Sequence, residues 1–531
     1  MGIDGQKQKK YASSEPELKA VFCTKTCEMQ RAAGWSKGNA LNFGSVVQDL
    51  INSRKFGEAL TYLEKALPLN PGHASVLEAM GICYEGLGRL EDAAHSYAEA
   101  LPNHCNVFTT TRLAKVALSA ELYEVAEAAF KVLARAVLKT DENHYATALS
   151  PCVSIDSWRT EHHAAAFETA PESEVKLVRP DGGLMQPYKA NAERFAVIPN
   201  ATAIAGWDFV IAPNGDVLRD SAYFSINGGG EYSFVPHVAN KANSKVLRVA
   251  PKVTKAIDAD ALFLSAPERY HFGHWVFDFL PRLQGLREKE KSRLKIFTVE
   301  GLPQHLRDTL ALFGVYGDDL IEGKIGEAYR FKSLVVYCGH EEGKENPSMI
   351  KFIHNALSLT QTRKADPDQS RRFFLQRTGA RGRNIINVDE FNNLLAEFEF
   401  ETVRRPEIAI RDQNTKFGSA EIIISAFGTD MVTAYQLKPG TDVIVLCHDR
   451  AEVQSSCDLE NQLVSAHKHL DQICATIGIH LHKFYCEPIQ INRGYSHLQD
   501  MIINCDALRR LIKEVVDKRI AAKTSAHSIS E

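Results

Sequence analysis

A histidine and a carboxylate stand four residues apart after an apolar stretch in the middle of the chain. His274, Asp278 and Arg282 occupy positions i, i+4 and i+8, so a helix through this segment would place them on one face. A histidine beside a carboxylate near the end of a strand is suited to act as a general base. Pro281 would kink this helix, which is unusual inside a plain structural element. The alternative is a local ion-pair stripe that covers a buried Trp275.

A loop rich in arginine and glycine forms a second candidate site. Arg377 and Arg383 are two of the three arginines that follow a strand-like run at residues 373–375. Guanidinium groups match phosphate oxygens in geometry and charge, so the loop predicts an anion site, with a solvated basic turn as the alternative. Asn387, with Glu390 three residues later, predicts a capping box that opens the next helix.

A glycine turn after another apolar strand forms the third candidate. The run Ile422–Ser425 leads into Gly428 and Thr429, and a helix that starts there could offer backbone N–H groups to a phosphate. Asp430 puts a negative charge at the same place. The pattern predicts a strand, a turn, a short helix and a second strand.

Buried strands alternating with amphipathic helices are needed to position these motifs. Six apolar runs are predicted as strands: Leu262–Ser265, Lys295–Val299, Ser333–Tyr337, Phe373–Leu375, Ile422–Ser425 and Val443–Cys447. Such alternation is typical of parallel sheets with crossover helices. Ligands bind outside the carboxyl ends of such strands, which is where all three motifs fall. A polar block at residues 360–371 separates two such regions, and short strands with Gly and Pro turns predict a small β-rich region at 175–249.

The amino-terminal part of the chain carries an internal repeat. Ala59, Leu63 and Ala66 recur 34 residues later as Ala93, Tyr97 and Ala100, and 33 residues after that as Ala126, Phe130 and Leu133. This period, with small residues where two helices would touch and a proline after the second helix, resembles the tetratricopeptide repeat. The repeats predict a surface for a partner protein, and a packing or self-association module is the alternative.

The three motifs, in their order along the chain, resemble glycosyltransferase family 61 over roughly residues 197–511. The resemblance implies a two-lobed GT-B architecture and inverting transfer of a sugar from a nucleotide-sugar donor, with a UDP-sugar favoured, no cofactor and typically no bound metal. The acceptor would be a glycan, as in capsule or envelope polysaccharide synthesis, or a protein. The positions that match the family are His274, Trp275, Asp278, Pro281 and Arg282 in the first motif, Arg377, Arg383 and Asn387 in the second, and Gly428, Pro439 and Gly440 in the third.

The resemblance also suggests roles for residues of the three motifs. His274 or Asp278 would remove the proton of the acceptor hydroxyl, while Trp275 and Arg282 would serve the acceptor or the structure. The donor would be bound by Arg377, Arg383, Asn387, Gly428, Thr429 and Asp430. With the repeats, these predictions divide the chain into a tail (1–40), a repeat domain (41–139), a connector (140–174), an acceptor-side lobe (175–365), a donor lobe (366–511) and a second tail (512–531).

The third motif departs from the family at four positions. Phe427 stands where a histidine is common, Asp430 where a small residue is common, Thr433 where an asparagine is common, and Val445 where a glutamate is common. A carboxylate at position 445 would be the natural partner of ribose hydroxyls, and Asp430 would repel a diphosphate. The chain therefore uses a different donor arrangement, or it is a catalytically degenerate scaffold whose repeats bind a partner.

Composition excludes several other classes of protein. The 531 residues are 44% hydrophobic and carry a formal charge of −4, which predicts a globular protein without the positive field that nucleic acid binding requires. No apolar run is long enough to span a bilayer, and the first residues lack the pattern of a secretory signal. The 11 cysteines contain no CxxC pair, so reduced thiols and a cytoplasmic location are expected. A peripheral position at the inner face of the membrane, through basic residues between Lys513 and Lys523, is the alternative.

Overall fold

The structure is a computed structural model. It describes residues 46–51, 53–69, 72–102, 107–138, 145–207, 210–218, 237–240, 245–251, 254–265, 272–288, 294–338, 345–358, 371–377, 383–448, 457–489 and 500–530. The predicted tail at 1–40 and residues 360–370 of the predicted separating block lie outside these ranges.

The amino-terminal part of the described chain is helical. Its helices are α1 (Phe56–Ala66), α2 (Ala74–Gly86), α3 (Leu90–Ala100), α4 (Val107–Ser119) and α5 (Tyr123–Leu138). Each helix packs against the next one along the chain. The positions that repeat in the sequence are all buried: Ala59, Leu63, Ala66, Ala93, Tyr97, Ala100, Ala126, Phe130 and Leu133. The periodicity therefore marks the face on which these helices pack.

A glycine allows two of these helices to approach closely. A Cβ atom at Gly81 in α2 would lie 2.6 Å from a ring carbon of Tyr97 in α3, which is closer than nonbonded carbons tolerate. Small residues at helix contacts are what the tetratricopeptide pattern predicts, and the assignment to that repeat family stays a prediction.

A large mixed sheet follows the helices. Its strands lie in the order β13-β12-β11-β14-β6-β7-β8-β1-β10-β9, with β5 paired to β14 and β2 paired to β5, while β3 and β4 form a separate pair. The parallel pairings include those that join β14, β11, β12 and β13. The strands are β1 (Tyr145–Val153), β2 (Ala166–Ala170), β3 (Ser173–Val175), β4 (Tyr188–Ala190), β5 (Glu193–Pro199), β6 (Thr202–Ile204), β7 (Val210–Ile211), β8 (Val217–Leu218), β9 (His237–Asn240), β10 (Lys245–Pro251), β11 (Thr254–Phe263), β12 (Lys295–Val299), β13 (Leu320–Gly323) and β14 (Ala328–Cys338).

Four short α-helices accompany this sheet in the described ranges. They are α6 (Ile155–Glu161), α7 (Phe272–His274), α8 (Gly285–Glu288) and α9 (Gln304–Leu312).

The segment predicted as a connector belongs to the large sheet. Strand β1 pairs with β10 and β8, and strand β2 pairs with β5. The side chains of β2 are mostly exposed or half-buried, so this strand lacks the continuous apolar run that reveals a buried strand. Residues that were predicted to form a connector therefore contribute two strands to the large sheet.

A second sheet is almost entirely parallel. Its order is β16-β15-β17-β18-β19-β20, and only the β19–β20 pairing is antiparallel among those described. The strands are β15 (Arg372–Leu375), β16 (Glu401–Val403), β17 (Ile422–Ala426), β18 (Asp442–His448), β19 (His480–Ile489) and β20 (Asp500–Ile502). The helices are α10 (Pro347–Ser358), α11 (Val388–Glu397), α12 (Ile410–Gly418), α13 (Cys457–Ile477), α14 (Cys505–Ser530) and the 3-10 helices Arg405–Glu407 and Thr429–Gln436.

The carboxyl-terminal residues form one long helix. Residues 512–530, predicted as a tail, continue α14, and Leu508, Ile512 and Val515 are buried in a core shared with the second sheet. The first half of the predicted tail is therefore part of the folded unit. Across the ranges described, no helix has the length and apolar character required to cross a membrane.

The two sheets and the helical region are joined by common cores. One core contains Leu262 and Trp275 near the first sheet together with Ile423 and Tyr435 of the second region. Another joins α3, α4 and α5 to residues of the large sheet, including Trp207. The chain is thus mixed α/β with helices at its amino-terminal side, as predicted, while the GT-B assignment stays a prediction.

Candidate functional site

The first motif lies in a helical segment that changes type along its length. Helix α7 ends at His274, residues Trp275–Phe279 form a π-helical turn, and Leu280–Gln284 form a 3-10 helix. The segment is helical, as predicted, but it consists of three consecutive helical types instead of one kinked α-helix. Pro281 has no N–H group to donate within a helix, and the change from a wide to a tight turn accommodates that loss.

The predicted pairing of histidine and aspartate is present. His274 Nδ1 lies 2.8 Å from Asp278 Oδ2, and the two side chains are 47% and 9% exposed. The carboxylate is thus buried beneath an imidazole that solvent can reach. A carboxylate at Nδ1 favours the tautomer in which Nε2 accepts a proton, so this pair is able to perform general base chemistry.

Trp275 and Arg282 support this turn from within the core. Trp275 is fully buried, and its Nε1 donates to Thr309 Oγ1 at 2.6 Å. Arg282 donates from Nε to the backbone oxygen of Asp278 at 2.9 Å, and its guanidinium lies 4.4 Å from the centroid of the Phe279 ring. Trp275 and Arg282 were predicted to contact the acceptor or to support the structure, and these contacts favour the structural role.

The second and third motifs meet at Gly428. Strands β15 and β17 are parallel neighbours, so the residues that follow them lie at the same edge of the sheet. Gly428 has φ 142°, and a Cβ atom there would overlap the guanidinium of Arg383 and lie 2.7 Å from Nη1 of Arg377. Only glycine allows both guanidinium groups to approach this turn so closely.

The two arginines are held differently. Nη1 of Arg383 donates to the backbone oxygen of Phe427, and Arg383 has a positive φ of 63°, which is uncommon outside glycine. Nη1 of Arg377 is buried and, among the residues described, has no hydrogen-bond partner. A buried guanidinium N–H without a partner is costly, so this atom is a candidate to bind an anion.

Asn387 is directed away from these arginines by its own hydrogen bonds. Its Nδ2 donates to the backbone oxygen of Ile503 at 2.8 Å, and its Oδ1 accepts from Ile503 N at 2.9 Å. The predicted capping box is wrong, because the side chain of Asn387 does not cap α11 and instead bonds to Ile503, the residue after β20. Nδ2 of Asn387 also donates to Oε2 of Glu390 at 3.0 Å.

The start of the 3-10 helix Thr429–Gln436 carries the remaining predicted residues. Thr429 opens this helix, with Gly428 as its N-cap residue. Asp430 faces a cation that the sequence did not single out: its Oδ1 lies 3.7 Å from Nη1 of Arg405. Burial lowers the pKa of Arg405 to about 10, although the charge of Asp430 opposes that shift.

The same 3-10 helix brings the first motif to the other two. Helix α7, which ends at His274, contacts the helix Thr429–Gln436, as do α10, α12 and α13. The predicted residues therefore form one neighbourhood around this helix, apart from Asn387, whose amide is engaged elsewhere.

Two of the four positions that depart from the family pattern, Thr433 and Val445, are buried. Phe427 stacks on His467 of α13 with ring centroids 4.0 Å apart. Val445 is completely buried in β18, and Thr433 is 2% exposed. A carboxylate at position 445 would thus have been buried as well, and the aromatic stack occupies the place of the common histidine.

Sequence reasoning also missed a buried acidic and aromatic group behind the first motif. Glu345, just before α10, bonds to Nδ1 of His469, and the edge of His469 meets the ring of Phe277 at a centroid distance of 4.6 Å. Tyr435 is fully buried, and burial followed by the charges of Glu345 and Asp278 raises its pKa. These residues are far apart in sequence, so no local pattern could have joined them.

No three His, Cys, Asp or Glu side chains are grouped as a metal site would require within the described part of the chain.

Comparison with known proteins supports one family. No curated protein matches the chain. Residues 272–444 match the model of the family described as Glycosyltransferase 61, and this segment, which contains every predicted site residue, is therefore similar to that family and supports a glycosyltransferase role.

Proposed function

We propose that the protein transfers a sugar from a nucleotide diphosphate sugar to an acceptor hydroxyl, with inversion at the anomeric carbon. One observation carries the proposal: Arg377 and Arg383 converge on Gly428, and a buried guanidinium N–H of Arg377 has no partner among the described residues. This arrangement lies inside the segment that resembles a glycosyltransferase family. Guanidinium groups stabilise the charge that develops on a leaving diphosphate.

The histidine–aspartate pair supplies the base in this proposal. The acceptor oxygen forms a bond to the anomeric carbon while the bond from that carbon to the diphosphate breaks. The acceptor proton passes to Nε2 of His274, and Asp278 at Nδ1 stabilises the imidazolium that results. The diphosphate leaves with the electron pair of the broken bond and is held by Arg377 and Arg383.

The remaining features of the proposal extend the family resemblance. We propose a UDP-sugar as donor, a glycan of a capsule or envelope polysaccharide as acceptor, no metal requirement, and a cytoplasmic site of action. A protein acceptor is the variant that the amino-terminal helices favour, since such helices present a surface for another chain. Activity that persists in EDTA would support the metal-independent form.

Calorimetric titration with UDP, GDP and CMP sugars tests the donor site. We expect saturable binding of one donor, and binding about tenfold weaker or more in Arg377→Ala and Arg383→Ala, because each substitution removes charge-assisted hydrogen bonds. Arg371→Ala is the matched control, since Arg371 stands just before the amino end of the same strand and pairs with Glu421. Equal binding by all three variants, or no binding of any donor by the unaltered protein, would refute the proposal.

The second candidate is a catalytically degenerate transferase fold that serves as a scaffold. Phe427 stacked on His467 and the buried Val445 favour it, because neither provides the polar contacts expected for a nucleoside. Its prediction is opposite to that of the first candidate: no nucleotide sugar binds, and removal of His274 has no effect on the interactions of the helical region.

A further inference from the structure

Asp430 lies where the proposed function requires a diphosphate to bind, at the start of the 3-10 helix after Gly428. A carboxylate there would repel the donor. We propose that Arg405 is a positioning residue that neutralises Asp430 and so keeps this turn open to an anion. The inference rests on the proposed function and assigns a task to a residue outside the three sequence motifs.

The geometry fits a counterion rather than a ligand-binding residue. Nη1 of Arg405 lies 3.7 Å from Oδ1 of Asp430, and the side chains are 8% and 17% exposed. Charges so poorly solvated interact more strongly than a surface pair would. An unpaired Asp430 would therefore project its negative charge into the turn.

A glutamine holds Arg405 in place. Nε of Arg405 donates to Oε1 of Gln413 at 3.1 Å, and Nε2 of Gln413 donates back to the backbone oxygen of Arg405 at 3.0 Å. The same Nε2 also donates to the backbone oxygen of Ile408 at 2.8 Å. With its stem fixed by these bonds, the guanidinium cannot swing toward a bound donor without breaking them, so it acts on the donor through Asp430.

Arg405 also contacts the first motif. Its guanidinium lies 4.7 Å from the centroid of the Phe272 ring, and Phe272 is two residues before His274. Burial lowers the pKa of the neighbouring His305, and Arg405 adds to that lowering against the opposing charge of Asp308. The charge of Arg405 therefore acts on His305 as well as on Asp430.

The charges of the site depend on this pair. With Arg405 present, the four charged side chains Arg377, Arg383, Asp430 and Arg405 carry a formal charge of about two positive units, and without it only about one. A nucleoside diphosphate carries two to three negative charges. Removal of Arg405 should thus weaken the binding of a diphosphate even though Arg405 does not touch it.

Four variants separate this role from a merely structural one. UDP binding, measured by calorimetry at fixed ionic strength, should be about tenfold weaker or more in Arg405→Met and within about threefold of the unaltered protein in Arg405→Lys, which keeps the charge. Asp430→Asn should bind UDP at least as tightly as the unaltered protein. The double variant R405M/D430N should regain most of the lost affinity. Arg411→Met is the control, because it removes an exposed cation from α12 in the same region.

Two results would overturn the inference. One is UDP affinity unchanged in Arg405→Met, and the other is a loss in Asp430→Asn as large as the loss in Arg405→Met, which would make Asp430 a ligand of the donor. If the unaltered protein binds no nucleoside diphosphate, the proposed function fails by itself. Thermal unfolding of the unaltered protein, Arg405→Met, Asp430→Asn and R405M/D430N without ligand then tests the pairing, since additive changes in melting temperature would show that Arg405 and Asp430 are not coupled.

Discussion

Two histidine–aspartate pairs with nearly the same separation differ in the ring nitrogen that faces the carboxylate, Nδ1 in His274 and Nε2 in His482, and in their surroundings. His274 and Asp278 are 2.8 Å apart, and His482 and Asp442 are 2.9 Å apart. The second aspartate begins strand β18 and also accepts a hydrogen bond from Nη1 of Arg519 at 2.5 Å. The first aspartate lies beside the 3-10 helix on which the three motifs converge.

The difference shows that the pair alone does not identify a catalytic group. Asp442 stands at the amino end of a parallel strand, which is the end of the sheet opposite to that where ligands bind. Arg519 also donates to the backbone oxygen of Gly440 at 2.7 Å, so this pair fastens α14 to the sheet. Placement relative to the sheet, and the partners of the carboxylate, distinguish this structural pair from the pair that we propose as the base.

The largest expected effect is a difference in kcat between variants of His274 and His482. His274→Ala should lower kcat by about 10² to 10⁴, because a general base contributes that much, while donor affinity stays the same. His482→Ala should leave kcat within about threefold. Turnover of the donor identified by calorimetry is the measurement, and equal losses in both variants would remove the basis for assigning the base to His274.

A third pair extends the comparison to complete burial. The side chain of Glu345 has no exposed surface, and that of its partner His469 is 6% exposed. Because His469→Leu removes a hydrogen bond from a buried carboxylate, we expect the free energy of unfolding to fall by about 3 kcal/mol. Urea denaturation measures it, and His95→Leu, on an exposed side of α3, is the control. A loss no larger than that of the control would show that the pair does not stabilise the fold.

The smallest effect concerns the pH dependence of the structural pair. Burial raises the pKa of Asp442, but hydrogen bonds from His482 and Arg519 outweigh it and hold the pKa below the ordinary value of 3.8. The ionised carboxylate therefore adds stability above about pH 4, and this is lost as the pH falls through the pKa of the folded state. At pH 7 the free energy of unfolding of the unaltered protein should be higher than that of Asp442→Asn by about 1 kcal/mol. Urea denaturation at several pH values should show this difference disappear below pH 3.8. A difference in free energy that does not change with pH would contradict this account.

Continuous apolar runs predicted the strands that matter most. All six predicted strands are present. Five of the predictions either begin within one residue of the observed strand or lie inside it. For example, the observed strand β12 is Lys295–Val299, as predicted, and β17 is Ile422–Ala426 where Ile422–Ser425 was predicted. Each is buried and parallel to a neighbour, so its sequence is apolar on both faces. Strand β2 was missed because a half-exposed strand lacks that signal.

Pairings between distant residues could not be predicted in the same way. Asn387 has the residue type and spacing of a helix cap, but the backbone of Ile503 competes for its side chain. Arg405 follows Arg404 and precedes Pro406, and nothing local indicates that it faces Asp430. Local patterns predicted which segments carry the chemistry, whereas the charges that balance one another depend on the tertiary fold.

The core shared by the helical region and the large sheet has a consequence for handling the molecule. Trp207, Val217 and Ala328 of the sheet region are buried against α3, α4 and α5. Removing the helices would expose these side chains to water, so a shortened chain that begins at β1 should aggregate rather than yield an isolated enzyme. The shared core also fixes the position of these helices relative to the large sheet, so the two regions should move as one unit.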